Sequence, residues 1–360
     1  MTIVQRPQRI QELDGWRAVS VALVILHHLL TFQYPKLLAK FPIEASISYY
    51  AGPLGVKIFF VISGFVICRL LIIEEATTGS VSLKAFYCRR FFRIIPPLYL
   101  YLVMVAILFS AGLIQDKVSA IVTSGLFLND AHFMVPWFMG HTWSLAVEEQ
   151  FYLVFPTMWI VTQPRWRNRV FLATFTFCVA WNQLLSFSNW GSTVPGKTRA
   201  GFACICCGVL MAISEARARR MAAKIPPYIV AIMMLILLLH PLHVNSPAKS
   251  LYDGLVTPLF IAFVLIYSIE KGHWLQFFLR SKPLQAVGLM SYGIYLWQQL
   301  FTAPFENYFR VGRVIPYLLP LLLVIVPASY FLLEKPAMRL GKKFTQNIGK
   351  PASMPAIVTT

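Results

Sequence analysis

The sequence predicts an all-α integral membrane protein, a bundle of about ten transmembrane helices with both termini cytoplasmic. Three observations predict it. Of the 360 residues, 58% are hydrophobic and only 13% charged, too apolar for a chain that must clothe its surface in water. Apolar stretches near the ~20 residues needed to cross a bilayer recur at about 14–33, 53–73, 92–113, 141–162, 168–187, 200–214, 226–243, 254–270, 285–304 and 314–334. Most of the 32 Lys and Arg fall in alternate loops between these stretches, as positive charge does on the cytoplasmic side of a membrane.

That clustering also decides how the net charge of +18 is read. Short basic loops between apolar runs point to topology, and no nucleic-acid partner is implied. Arg6 and Arg9 precede the first apolar run without a small-residue cleavage site, so the first helix is expected to be retained. Residues 118–128 are too brief to cross and are expected to be re-entrant or interfacial. The expected domain is 1–343, followed by a short disordered cytoplasmic tail at 344–360, with no fused soluble domain and no internal repeat. Cys204, Cys206 and Cys207 have no His or second Cys pair nearby, so they are expected to pack helices, and neither a metal site nor a disulfide framework is implied.

The first helix, "ELDGWRAVSVALVILHHLL" at 12–30, carries Asp14, Arg17, His27 and His28. At about 100° per residue, Arg17 and His28 lie within about 20° of one face, while His27 is turned about 100° from His28. The rise of about 1.5 Å per residue sets His28 some 16 Å deeper in the membrane than Arg17. Asp14 sits within pairing distance of Arg17. Ionisable groups in a span mark a wet cavity or a reaction path, and an imidazole near neutrality suits general-base chemistry. An interfacial Asp14–Arg17 pair with two merely packed histidines is the structural alternative.

"LDGWRAVSVALVILHH" resembles the opening of membrane-bound acyltransferase family three, the bacterial O-acyltransferases of surface glycans and related natural products. The likeness continues in order through "GVKIFFVISGFVI" at 55–67, "RRFFRIIPPLYLY" at 89–101, "HTWSLAVEEQFYLVFP" at 141–156, "MSYGIYLWQQL" at 290–300 and "EKPAMRL" at 334–340. The resemblance implies a multi-pass enzyme of the bacterial inner membrane. It would move an acyl group, most simply acetyl, from cytosolic acyl-coenzyme A to a hydroxyl of a carbohydrate or glycolipid, such as lipopolysaccharide, capsule or an exported oligosaccharide. Acetyl-coenzyme A is then a co-substrate, and no bound cofactor is implied. His28 becomes general base or acyl relay, and Arg17 holds the donor or stabilises developing charge. Two departures stand out: Lys57 replaces an expected acidic or neutral group, and Gln298 stands where the family often has His.

Three further motifs fit that frame. In the 141–156 segment, Ser144, Glu148, Phe151 and Phe155 form one helical stripe, with Tyr152 a turn beyond Glu148. Glu148 could orient an imidazole or hold a sugar hydroxyl, or it could cap the helix start together with Glu149. Arg89, Arg90 and Arg93 could pair with coenzyme A phosphates or simply obey topology. Ser63 and Gly64 let helices approach closely, which could narrow a tunnel for the pantetheine arm; nothing in the sequence ties Ser63 to a base. The rival class is a transporter or proton-coupled carrier using Arg17, His28 and Glu148.

Overall fold

The computed structural model describes residues 9–35, 42–131, 135–186, 195–239, 247–270, 274–309 and 311–346. Among them the chain is all-helical, and the one extended pairing is an isolated antiparallel bridge between Ile114 and Tyr308. Helix α1 (Gln11–His27) runs directly into a π-helical segment, His28–Gln33. Next come α2 (Pro42–Thr78), α3 (Leu83–Ser110) and the short α4 (Val118–Gly125). A single turn at Trp137–Gly140 leads to α5 (Thr142–Val161), then α6 (Pro164–Ser186) and α7 (Pro195–Ile213), which bends by 88° into α8 (Glu215–Ala222). Helix α9 (Pro227–Leu238) precedes a π-helical segment, Tyr252–Val256, and α10 (Thr257–Ile269). The last part holds α11 (Lys282–Leu289), α12 (Ser291–Trp297) with a 3-10 turn at Gln298–Leu300, α13 (Leu322–Ser329) and α14 (Lys335–Thr345).

Among the described residues, five helical segments are long and apolar enough to cross a membrane: Gln11–Gln33, Ser48–Thr78, Leu83–Ser110, Lys249–Ile269 and Val311–Thr345. The bent α7–α8 pair gives a sixth if it counts as one span. The multi-pass helical class is therefore met, but the expected ten spans do not all emerge as unbroken apolar helices. Helix α9 has only 12 residues, and the stretch 285–304 is divided among α11, α12 and the 3-10 turn. Average hydropathy reports apolar composition, and it is blind to where the helical hydrogen-bond ladder is broken. The segment at 118–128 forms an eight-residue helix, about 12 Å long and far short of a bilayer. Most of the expected 344–360 tail lies outside the described residues, and α14 reaches Thr345.

Helix α3 starts some nine residues earlier than hydropathy suggests, because Ser82 caps it by accepting a hydrogen bond from the Ala85 N–H at 3.3 Å. Arg89, Arg90 and Arg93 consequently lie within the helix and not in a loop before it. Helix α2 is packed between α1 and α7. A Cβ on Gly64 would collide with the backbone carbonyl of Ile205, and one on Gly208 with that of Val61, so these glycines allow α2 and α7 to touch backbone to backbone. Cys204, Cys206 and Cys207 are buried on α7.

Buried and half-buried polar ties join the outer elements to this core. Trp16 Nε1 donates to Ser268 Oγ at 3.0 Å, joining α1 to α10. Glu12 accepts from Gln276 at 2.7 Å and from Arg280 at 2.8 Å. Glu75 of α2 takes a two-pronged ion pair from Arg167 at 2.5 and 2.8 Å. Lys57 of α2 pairs with Asp253 of the π-helical segment at 2.5 Å.

Gly64→Ala, which pushes a methyl group into the Ile205 carbonyl, should cost at least about 1–3 kcal/mol, read as a lower unfolding temperature of the detergent-solubilised protein. A second outcome concerns pH. Burial pushes the Asp116 carboxyl, in the loop between α3 and α4, up to about 6, against the opposing hydrogen bond from the Lys117 N–H. A carboxyl that holds its proton more tightly when folded loses stability as pH rises through the window between the unfolded value of about 3.9 and 6. Asp116→Asn should therefore be more stable than wild type at pH 7, and the gap should close as the pH falls towards 4, which thermal unfolding at several pH values measures.

Candidate functional site

Five helices bring polar side chains to one cleft. Helix α1 supplies Arg17, α2 Ser63, and α3 Arg90 and Arg93; α5 supplies Ser144, Glu148 and Tyr152, and α12 Ser291, Tyr292 and Tyr295. Helical spacing explains the grouping: Arg90 and Arg93 are three apart, while Ser144, Glu148 and Tyr152 step by four, so each set lines one face. Apolar walls come from Val56, Phe59, Phe60, Ile94 and Leu145.

A hydrogen-bond relay crosses the cleft. Ser63 Oγ donates to Glu148 Oε1 at 2.6 Å, and its oxygen lies 2.6 Å from Tyr152 OH. With the serine hydrogen committed to the carboxylate, Tyr152 is the donor to Ser63. Arg90 sits over the Tyr152 ring at 4.6 Å, a cation–π contact. Ser144 Oγ and Tyr295 OH are 2.6 Å apart, and both reach the His141 carbonyl at 3.1 Å.

The charges in this cleft do not cancel. Asp14 stands 3.5 Å from Arg17 but is shared with Arg9 at 2.6 Å. Among the described residues neither Arg90 nor Arg93 has a carboxylate within ion-pairing distance. Three guanidinium groups thus face a cleft to which, among the described lining residues, Glu148 brings the one carboxylate. Removing ions from water without partners is costly, so the arrangement favours an anion entering among the arginines.

His28 lies beyond the cleft lining, at the start of the π-helical segment. Its Nδ1 is 3.0 Å from Gln298 Oε1. The Gln298 amide is oriented by donation from Nε2 to Gln299 Oε1 at 3.0 Å and by acceptance from Thr302 Oγ1 at 3.0 Å. This network assigns the hydrogen to Nδ1 and leaves Nε2 with the lone pair. Around the imidazole stand the rings of Trp137, His27 and Phe32, with centroids at 5.2, 5.4 and 6.3 Å.

The structure sorts the residues singled out from sequence. It brings Arg17, Ser63, Arg90, Arg93, Ser144, Glu148 and Tyr152 to one cleft. Arg89, turned to another face of α3, pairs with Glu74 at 2.7 Å. Glu148 and Glu149 lie beyond the first turn of α5, which contains no acidic residue, so helix capping does not account for them. Phe151 and Phe155 leave the polar stripe and stack in the core at 4.9 Å. Gln298, noted in the sequence only as a missing histidine, is the residue that fixes His28. Tyr295 and His141 went unassigned although both lie in motif segments; a tyrosine or histidine in an apolar helix gives no sign of what it touches.

Fold and site together define an all-helical multi-pass membrane protein with a cation-lined cleft inside its bundle. The family model described as an acyltransferase domain matches residues 10–334, and the chain belongs to this family, acyltransferase family three. It is 26% identical over 319 residues to the peptidoglycan O-acetyltransferase OatA of Listeria monocytogenes, covering 80% of this chain and 48% of that one. It is 28% identical over 376 residues to the O-acetyltransferase OatA of Staphylococcus aureus strain NCTC 8325, covering 94% of this chain and 58% of that one. The chain thus spans about half the length of these curated relatives. No solved structure matches it.

Ser63→Ala removes the one hydroxyl that joins Glu148 to Tyr152. It should lower stability by about 1–3 kcal/mol, the cost of a buried acceptor losing its donor. Tyr152→Phe, which leaves the Ser63–Glu148 bond intact, should cost less, and unfolding temperatures of the two variants in one detergent give the comparison.

Proposed function

We propose that this chain transfers an acyl group, acetyl first among the candidates, from acyl-coenzyme A to a hydroxyl of a carbohydrate. The observation that carries this reading is the convergence of Arg17, Arg90 and Arg93 on a cleft with Glu148 as its carboxylate, a setting suited to the phosphates of a polyanionic donor. Family membership supports acyl transfer, and the name of the Listeria relative supports a cell-wall glycan as the kind of acceptor. His28, held at Nδ1 by Gln298 so that Nε2 carries the lone pair, takes the proton of the attacking hydroxyl. The acceptor oxygen bonds to the acyl carbon, the carbon–sulfur bond breaks, and sulfur leaves as thiolate, which recovers a proton to become free coenzyme A. Glu148, tied through Ser63 to Tyr152, orients a hydroxyl or an imidazole in the cleft. On this reading the protein is a bacterial inner-membrane enzyme whose remaining apolar stretches complete about ten spans with both termini in the cytoplasm, so that the donor enters from the arginine side.

The test is thiol release from acetyl-coenzyme A by the purified protein, with and without peptidoglycan fragments or lipopolysaccharide, together with mass spectrometry of the glycan. His28→Ala should accumulate in membranes yet lose at least about 100-fold in transfer, within the range for deleting a general base. Arg93→Gln should chiefly raise the KM for acetyl-coenzyme A. Near-normal acetylation by His28→Ala would overturn the assignment of the base, and no acceptor-dependent thiol release from wild type would overturn the donor.

A further inference from the structure

Behind the cleft wall lies a histidine that the mechanism above does not use. His141, immediately before α5, is 4% exposed. Both of its ring nitrogens are buried and neither has a hydrogen-bond partner among the described residues. An imidazole always carries at least one N–H, and an interior polar group left unpaired costs about as much as a lost hydrogen bond. A histidine serving only as packing would be expected to satisfy at least one nitrogen.

Its surroundings hold a second orphan. The His141 ring meets the edge of Tyr101 at 5.3 Å, and Tyr101 meets Trp297 at 5.8 Å. Trp297 is 4% exposed, and its Nε1, which can only donate, also lacks a partner among the described residues. Two unpaired groups able to donate therefore flank the Tyr101 ring, and a buried imidazole N–H without a partner suits an acceptor oxygen arriving with a ligand.

These rings adjoin both halves of the candidate site. The His141 carbonyl is held by Ser144 and Tyr295, which line the cleft, and its ring lies 5.5 Å from that of Tyr295. On the other side, Gln298 joins the Tyr295 carbonyl at 3.4 Å to His28 at 3.0 Å. The His141 ring thus packs on Tyr295, which lines the arginine-bearing cleft, and the Gln298 that bonds the Tyr295 carbonyl also holds His28.

We propose that His141 is a second catalytic histidine, whose N–H donates to the carbonyl oxygen of the acyl thioester when the donor arm moves the Tyr295 ring aside. The inference rests on the acyl-transfer reading. As the acceptor oxygen adds to the acyl carbon, the C=O electron pair moves onto the thioester carbonyl oxygen, where the His141 N–H meets it. The pair returns as the carbon–sulfur bond breaks, the thiolate leaves, and the hydroxyl proton sits on His28. A fixed donor aimed at the developing oxyanion stabilises the transition state more than the ground state.

The test compares wild type, His141→Phe and His141→Gln, each purified intact in detergent, by unfolding temperature and by thiol release from acetyl-coenzyme A with acceptor present. Phenylalanine keeps a ring and deletes the two orphan nitrogens, so its unfolding temperature should equal or exceed that of wild type. Its kcat should fall at least about 100-fold with KM for acetyl-coenzyme A changed less than about threefold, as for loss of an oxyanion donor. Glutamine restores an N–H and should recover at least about tenfold over phenylalanine, although it fits the aromatic surroundings less well and unfolds at a lower temperature. Activity of His141→Phe within threefold of an active wild type would overturn the inference and leave the acyl-transfer reading standing. Failure of His141→Phe to fold would overturn it too, by showing that the nitrogens are structural. A wild type that releases no thiol would remove the acyl-transfer reading and this inference with it.

Discussion

Charge inside a lipid-embedded bundle has to be answered within the bundle, because neither hydrocarbon nor dry protein solvates it. Several ions of this protein obey that constraint through fixed partners. Glu12 is held by Gln276 and Arg280, Lys57 by Asp253, and Glu75 by both arms of Arg167. Each pair also ties two elements distant in sequence, so electrostatic compensation and tertiary assembly are the same contacts. Against this background the cleft is the exception. Among the described residues, Arg90 and Arg93 line the cleft without a carboxylate of their own, Arg90 resting on the Tyr152 ring, and the cleft carries an excess of positive charge.

Helical irregularity is placed where polar groups are needed. Among the described residues, the three π-helical segments begin at His28, Tyr252 and Tyr330, and they carry His28, Asp253 and Glu334 respectively. A π turn adds a residue to the hydrogen-bonded backbone ring and rotates the rest of the helix about its axis, and such turns gather at functional positions. For His28 the consequence is an imidazole inside a ring of aromatic side chains, gripped at Nδ1 by Gln298. For Asp253 it is a carboxylate delivered to Lys57 within the bundle. Glu334 is buried against Gly293 of α12, one residue from the cleft-lining Tyr292.

Much of the candidate site was legible because helical periodicity is rigid. Residues spaced by three or four on one helix must share a face, so the grouping of Ser144, Glu148 and Tyr152 and the common direction of Arg90 and Arg93 could be had by counting. Arg89 shows where counting is insufficient: its type and position match its neighbours, but one residue of rotation sends it to Glu74. Hydropathy was a weaker guide to spans. It found the apolar stretches and missed breaks such as the 3-10 turn at Gln298–Leu300, because such a turn changes no residue's apolarity.

From its own residues the sequence determined the membrane-bound helical class, the Arg17-to-His28 spacing and the motif segments that carry family membership, since all of these depend on composition and on neighbours along one helix. Only the tertiary structure decided that five helices converge on one cleft, that Gln298 fixes the His28 tautomer, and that His141 and Trp297 are left without partners among the described residues. The physical reason is that a hydrogen bond or an ion pair between residues 270 positions apart, such as that of His28 with Gln298, depends on how helices dock, and docking is set by the joint packing of many side chains and not by any local run of sequence.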